Sequence, residues 1–136
     1  MGLIVDSSAI IELERSGGDL GKLLKKHGDE AVSLPAIVWG ELCAGVHLAD
    51  SVPRALKRRQ LLDRIRAGVD IVGFDEVIAE KWAELFADLQ RRGEPVPAND
   101  LCVAATALAF DHPLLIGSRG EKHFKKIKGL TVIRVD

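Results

Sequence analysis

Val96-Pro97-Ala98-Asn99-Asp100-Leu101-Cys102-Val103-Ala104-Ala105-Thr106-Ala107-Leu108-Ala109-Phe110 is the stretch around which the chain is organised. Apart from Thr106, every residue from 101 to 110 is apolar, so a helix here has no polar face and must be buried on most sides. It reads as a central core helix. Pro95 and Pro97 push the residues before them away from helical geometry and Asn99 is a good N-cap, so the helix is expected to start at Asn99 or Asp100. Asp100 then sits in the first turn. The helix dipole and free N–H groups favour a carboxylate there, so taken alone Asp100 is more simply structural than catalytic.

Working outward from this helix, Leu114-Leu115-Ile116 reads as a buried strand, residues 118–122 as a loop, and residues 130–135 as a closing strand after a short basic helix. On the other side, Asp75 is placed to cap a long helix with Ile78, Trp82, Leu85, Phe86 and Leu89 on one apolar stripe, and Gly93 ends it. At the start of the chain Leu3-Ile4-Val5 is a strand, and Asp6-Ser7-Ser8 caps a helix over 9–15. Gly17-Gly18 breaks the pattern before a second short helix, and residues 31–34 form the next strand. Helices over 36–48 and 54–67 and a strand over 69–72 complete the order. Strands alternating with helices imply an α/β fold with a central parallel sheet covered by helices on both faces. Ligands in such sheets gather at the C-terminal strand edge. Asp6 and the loop at Ser118 lie on that edge, and the helix start at Asp100 can face it.

A chain of 136 residues suits a single domain with its own core. The net charge of -1 announces no global field for nucleic acid, so any such binding needs a local patch. Cys43 and Cys102 are the two cysteines, and they form no CxxC pair. No secretory leader precedes the first strand, and no apolar run approaches the roughly 18 residues of a membrane span. A soluble, reduced, cytoplasmic protein is expected.

Glu41 falls four residues after Ile37 and three after Val38, which puts it on the apolar face of its helix. That position is costly for a charge unless a cation or donor meets it, the alternative being a boundary glutamate that snorkels out. The helix over 54–67 carries Arg54, Lys57, Arg58, Arg59, Arg64 and Arg66 against the single acid Asp63. It is either an ordinary solvated face or the local patch that phosphate binding requires.

Asp6, Glu41 and Asp100 can point into one crevice, where three carboxylates repel and need a cation. Oxygen ligands favour Mg²⁺ or Mn²⁺ over zinc. His27, His47, His112 and His123 show no metal-ligand spacing and are expected to be surface or packed residues. No GxSxG elbow, GxxxxGK[ST] loop or GxGxxG turn is present. Cys43 and Cys102 follow candidate acids by two residues, about 200° around a helix, and so turn into the core.

The residues Ile4-Val5-Asp6-Ser7-Ser8-Ala9-Ile10-Ile11, Val38-Trp39-Gly40-Glu41-Leu42-Cys43-Ala44-Gly45, and Pro97-Ala98-Asn99-Asp100 through Ala107 recur in order and spacing with Leu114-Leu115-Ile116-Gly117-Ser118-Arg119-Gly120-Glu121-Lys122-His123-Phe124. With Gly129-Leu130 after them, they resemble a PIN domain, specifically a VapC-type toxin of toxin–antitoxin systems, over nearly the whole chain. The resemblance implies a PIN-like fold and a Mg²⁺- or Mn²⁺-dependent endoribonuclease acting on structured RNA. It further implies a homodimer and a cognate VapB-type antitoxin as partner. Asp6, Glu41 and Asp100 match three acidic positions of the family and Ser7 matches its hydroxyl, while Asn99 stands beside Asp100 as a supporting group. Arg54, Lys57, Arg58 and Arg59 are then expected to hold the RNA backbone. The chain departs from the pattern at Gly120, where the family usually carries Asp or Asn four residues before the Phe, and Ser118 and Glu121 are the nearby substitutes. Gly120 keeps a second reading open, a PIN-like module that binds RNA or a partner without cleaving. A third, an unrelated Mg²⁺-dependent phosphoryl-transfer enzyme, lacks a phosphate loop.

Overall fold

The structure, a computed structural model, describes residues 2–26 and 31–136; His27 lies outside them. Strands β1 (Leu3–Val5), β2 (Val32–Pro35), β3 (Asp70–Val72), β4 (Leu114–Ile116) and β5 (Val132–Arg134) make one sheet in the order β3-β2-β1-β4-β5. Every pairing is parallel, with Leu3 opposite Val32, Ile4 opposite Leu114 and Leu115 opposite Ile133. All three residues of β1 and of β4 are buried, which explains their unbroken apolar runs.

From β1 the chain steps outward to β2 and β3, then returns across the sheet to β4 and β5. Right-handed crossovers therefore put α1 (Ser7–Arg15), α2 (Leu20–Lys26), α3 (Ala36–His47) and α4 (Val52–Gly68) on one face. They put α5 (Glu76–Arg92), α6 (Ala98–Phe110) and α7 (Glu121–Phe124) on the other. The direction reverses between β1 and β4. This is the switch point at which loops diverge and open a crevice beyond the strand ends.

The central helix is buried over most of its length, with Leu101, Val103, Ala104, Ala105, Thr106 and Ala107 inside, but its last turn emerges: Leu108 and Ala109 are half-buried and Phe110 is exposed. Thr106 removes its polar hydrogen from the core by donating to the Cys102 carbonyl at 2.8 Å. Its start differs from expectation. The helix begins at Ala98 after Pro97, with no side-chain cap, so Asn99 lies inside the first turn rather than capping it. Proline just outside the helix has fixed the entry direction, leaving the Asn99 amide free for another partner. Other ends follow local rules. Asp75 accepts from the Ile78 N–H at 2.9 Å, and Gly93 closes α5 with φ 65°. The stretch expected as a loop over 118–122 is instead a 3₁₀ turn, Ser118–Gly120, running directly into α7. Among the described residues no helix is long and apolar enough to cross a membrane.

Candidate active site

Asp6 is the residue at which β1 becomes α1. Its N–H continues the sheet by donating to the Leu115 carbonyl at 2.9 Å, while its side chain caps α1 by accepting from the Ser8 N–H at 3.1 Å. Strand ladder and helix cap thus fix the carboxylate from both sides. It is only 3% exposed. Oδ2 accepts also from the Ser8 hydroxyl, whereas Oδ1 is buried with no partner among the described residues. Burial pushes the Asp6 carboxyl above its usual range. The Ser8 and Ser7 donors pull it back, and the negative charge of Asp100 adds to the rise.

Glu41 stands on α3 at the rim of the crevice with its residue surface open to solvent, rather than buried on the apolar face beside Val38. Partial desolvation of its carboxylate is the largest cause of a raised proton affinity. The like charges of Asp6 and Asp100 come next, and side-chain donors Ser7 and Asn99 act against them. That mutual influence places Asp6, Glu41, Asp100, Ser7 and Asn99 together. Asp100, in the first turn of α6, is joined by a residue that spacing had assigned to surface or packing: His123 Nδ1 lies 2.6 Å from its Oδ2. Nothing in the spacing of the histidines reveals this, because α7 is brought to α6 only by the tertiary fold. His47, by contrast, is exposed and ends α3, and His112 stacks on Phe110 with ring centroids 5.8 Å apart. Cys43 and Cys102 are half-buried, and burial raises the Cys102 thiol pKa.

Two further residues escaped the sequence reading. The Ser8 hydroxyl both supports Asp6 and accepts from the Gly117 N–H at 3.0 Å, tying the end of β1 to the end of β4. One helical turn later Glu12 accepts from the Ser118 N–H at 3.1 Å and the Ser118 hydroxyl at 2.9 Å. Ser118 is therefore engaged by Glu12. Glu121 is engaged by Arg134 at 2.8 Å. Gly120 is buried with φ -80°, and a Cβ there would stand 3.0 Å from Ser8 Oγ and 3.2 Å from the Phe124 ring.

On α4, Arg54 pairs with Asp50 at 2.9 Å, Arg59 lies 3.9 Å from Asp63, and Arg58 donates to the Gly45 carbonyl at 2.5 Å. Lys57 and Arg58 also line a cavity of about 380 Å³ with Glu41, so part of this helix borders that acid, while Asp6 and Asp100 lie outside the cavity. A larger cavity of about 530 Å³ lies among Ile10, Leu13, Leu20 and Leu61 and includes none of the three acids.

The donors suit a hard cation. They are carboxylate oxygens, one of them buried and unpartnered, in a cluster where the charge of Asp100 raises the proton affinity of Asp6 and both raise that of Glu41. Among the described residues no three His, Cys, Asp or Glu side chains close into a ready ligand cage. Three uncompensated carboxylates repel, and Mg²⁺ ordinarily takes one or two carboxylates and keeps several waters.

A five-stranded parallel sheet with an acid at the end of the first strand, a second on the first turn of the core helix and a third on α3 defines the class. The chain belongs to the PIN domain family, whose pattern matches residues 3–130. Among its relatives is Ribonuclease VapC1 of Rickettsia felis, 31% identical over 135 residues, covering 99% of this chain and 97% of that one. Ribonuclease VapC of Rickettsia bellii is 33% identical over 138 residues with the same coverage. The fold is similar to that in the crystal structure of VapBC2 from Rickettsia felis bound to a DNA fragment from their promoter. That match has a TM-score of 0.87 at 22% identity and covers 100% of both chains. VapBC-1 from nontypeable Haemophilus influenzae gives a TM-score of 0.81 at 18% identity over 98% of each chain.

Proposed function

We propose that this protein is a Mg²⁺- or Mn²⁺-dependent endoribonuclease that cuts phosphodiester bonds in structured RNA, the toxin of a VapBC-type pair. One observation carries the reading: the buried Asp6 carboxylate at the strand switch point, with Oδ1 unpartnered, the charge of Asp100 acting on it, and both acting on Glu41. The ribonuclease names of the relatives support the reaction class, and the VapBC complexes among similar folds support an antitoxin partner. A homodimer built from single-domain chains, acting in the cytoplasm, belongs to the same reading.

Asp6 and Asp100 would hold the cation, with Glu41 as a third carboxylate. When bound, it supplies a water of lowered pKa and shields the charge that develops on the scissile phosphate. The chain does the rest. Ser8 favours the charged form of Asp6 and aims it, His123 fixes the rotamer of Asp100, and Ser7 and Asn99 steady Glu41. Lys57 and Arg58, beside the Glu41 cavity, hold the RNA backbone against an otherwise repelling acidic pit.

Titrating Mn²⁺ or Mg²⁺ into an RNA cleavage assay tests this with Asp6→Asn and Asp100→Asn beside the wild type. Cleavage that needs the cation and is lost in both variants is expected. Asp6→Asn should also melt higher than wild type at neutral pH, because it removes a buried charge from a like-charged group. Wild-type activity in either variant removes that residue from the site. A second reading, an RNA-binding module without cleavage, draws on Gly120, which offers no side-chain oxygen while Ser118 and Glu121 are engaged elsewhere. RNA binding with no cation-dependent cleavage would select it.

A further inference from the structure

Three carboxylates repel a polyanion, so an RNA strand crossing them must be held on both flanks. On the Glu41 flank, Lys57 and Arg58 line the shared cavity. The Asp100 flank is formed by residues 119–128, which carry Arg119, Lys122, Lys125, Lys126 and Lys128 against a single acid, Glu121. Arg134 bridges Glu121 at 2.8 Å and Asp136 at 2.7 Å, so these two acids share one guanidinium and are still outnumbered by the five cations of the segment. The Lys126 ammonium is directed to the Pro95 carbonyl at 3.3 Å, and Lys128 lies within electrostatic reach of Asp88. Arg119, Lys122 and Lys125 are left exposed with no ion-pair partner among the described residues.

These cations are anchored to the site. Lys122 adjoins His123, which contacts Asp100 at 2.6 Å, and Arg119 adjoins Gly120, where an added Cβ would come within 3.0 Å of the Ser8 hydroxyl that holds Asp6. One residue along the chain is about 3.8 Å, so the backbone of Lys122 stands beside a residue that touches Asp100, and that of Arg119 beside the turn that borders Ser8. The apolar members of the segment, Phe124 and Ile127, are buried. The surface offered is cationic without an apolar centre, which suits a phosphate backbone better than a protein partner.

We infer that residues 119–128 form a second phosphate track, holding the RNA backbone on the Asp100 side of the scissile phosphate. This rests on the ribonuclease reading above. The test measures binding of a labelled, 2′-O-methylated RNA, which resists cleavage, as a function of salt. The wild type is set beside a triple variant, Arg119→Gln with Lys122→Gln and Lys125→Gln, and thermal melts verify that the variant is folded. Three lost phosphate contacts at about 0.7 each should flatten the salt slope by about 2 and weaken binding about a hundredfold at 0.1 M salt. An unchanged slope in the folded triple variant, while the wild type binds and cleaves RNA, overturns this track alone. A wild type that neither binds nor cleaves RNA overturns the ribonuclease reading, and the track with it.

Discussion

Replacing Ser8 with alanine removes one oxygen that has two duties. It donates to Asp6 Oδ2 at 2.5 Å and accepts from the buried Gly117 N–H at 3.0 Å. A hydrogen bond to a charged group contributes about 1.5–3 kcal/mol, and a buried N–H left without an acceptor costs about 1–3 kcal/mol. The two losses share one atom and partly relax, so a total of about 2–4 kcal/mol is expected. For a chain of this size that corresponds to a fall in Tm of about 10 °C. The effect should depend on pH. Asp6 already has its folded-state pKa raised by burial, and Ser8 is the largest influence lowering it, so the variant raises it further. A carboxylate with a raised folded pKa favours the fold while protonated, below the ordinary value near 3.8, and that contribution is lost as pH rises through the folded value. The deficit of Ser8→Ala should therefore be smaller near pH 4 than at pH 7, and the acid limb of the cleavage profile should move to higher pH. Thermal melts at both pH values and a cleavage profile measure this. A variant that melts within about 2 °C of wild type with an unmoved acid limb would refute the dual role of this hydroxyl.

His123→Ala is expected to lower Mn²⁺ affinity or cleavage by about 10- to 100-fold, as for other groups that orient a ligand, with partial recovery in His123→Gln. Calorimetric Mn²⁺ titration reads this apart from activity, and an unchanged affinity and rate would return His123 to a packing role. Gly120→Ala should cost about 1–3 kcal/mol through crowding of Ser8 Oγ and Phe124, although its φ of -80° accepts any L residue. That cost should shrink in the Ser8→Ala background; denaturant melts of the four proteins that find strict additivity would rule out the contact.

Residues tied to local rules were readable in advance, because strand runs, caps and helix starts are decided within a few positions. Asp6 follows β1, Asp100 lies in the first turn of α6 and Glu41 lies on α3, as their neighbours in sequence require. The assignments that depended on distant partners were not readable. Asn99 looks like a cap until Pro97 takes over the helix start and Glu41 stands near its amide. Ser8 and Gly117 are 109 residues apart, and Glu12 and Ser118 are 106 apart, so only the pairing of β1 with β4 brings them together. His123 meets Asp100 for a similar reason, across 23 residues and two elements.

Gly120 shows how such a distant contact changes the meaning of a motif. In the sequence it is a missing oxygen, a subtraction from a four-acid pattern. In the fold it is a space already shared by the Ser8 hydroxyl and the Phe124 ring, with backbone angles that make no demand for glycine. The constraint is therefore packing around the group that holds Asp6, not conformation of the turn. An Asp side chain introduced at this position brings a Cβ to 3.0 Å from the hydroxyl and 3.2 Å from the ring, so these neighbours must give by a few tenths of an ångström to admit it. Gly120→Asp should accordingly restore cation affinity only if Ser8 yields, which makes the Ser8→Ala background the place to look for a gain and the wild-type background the place to expect a loss.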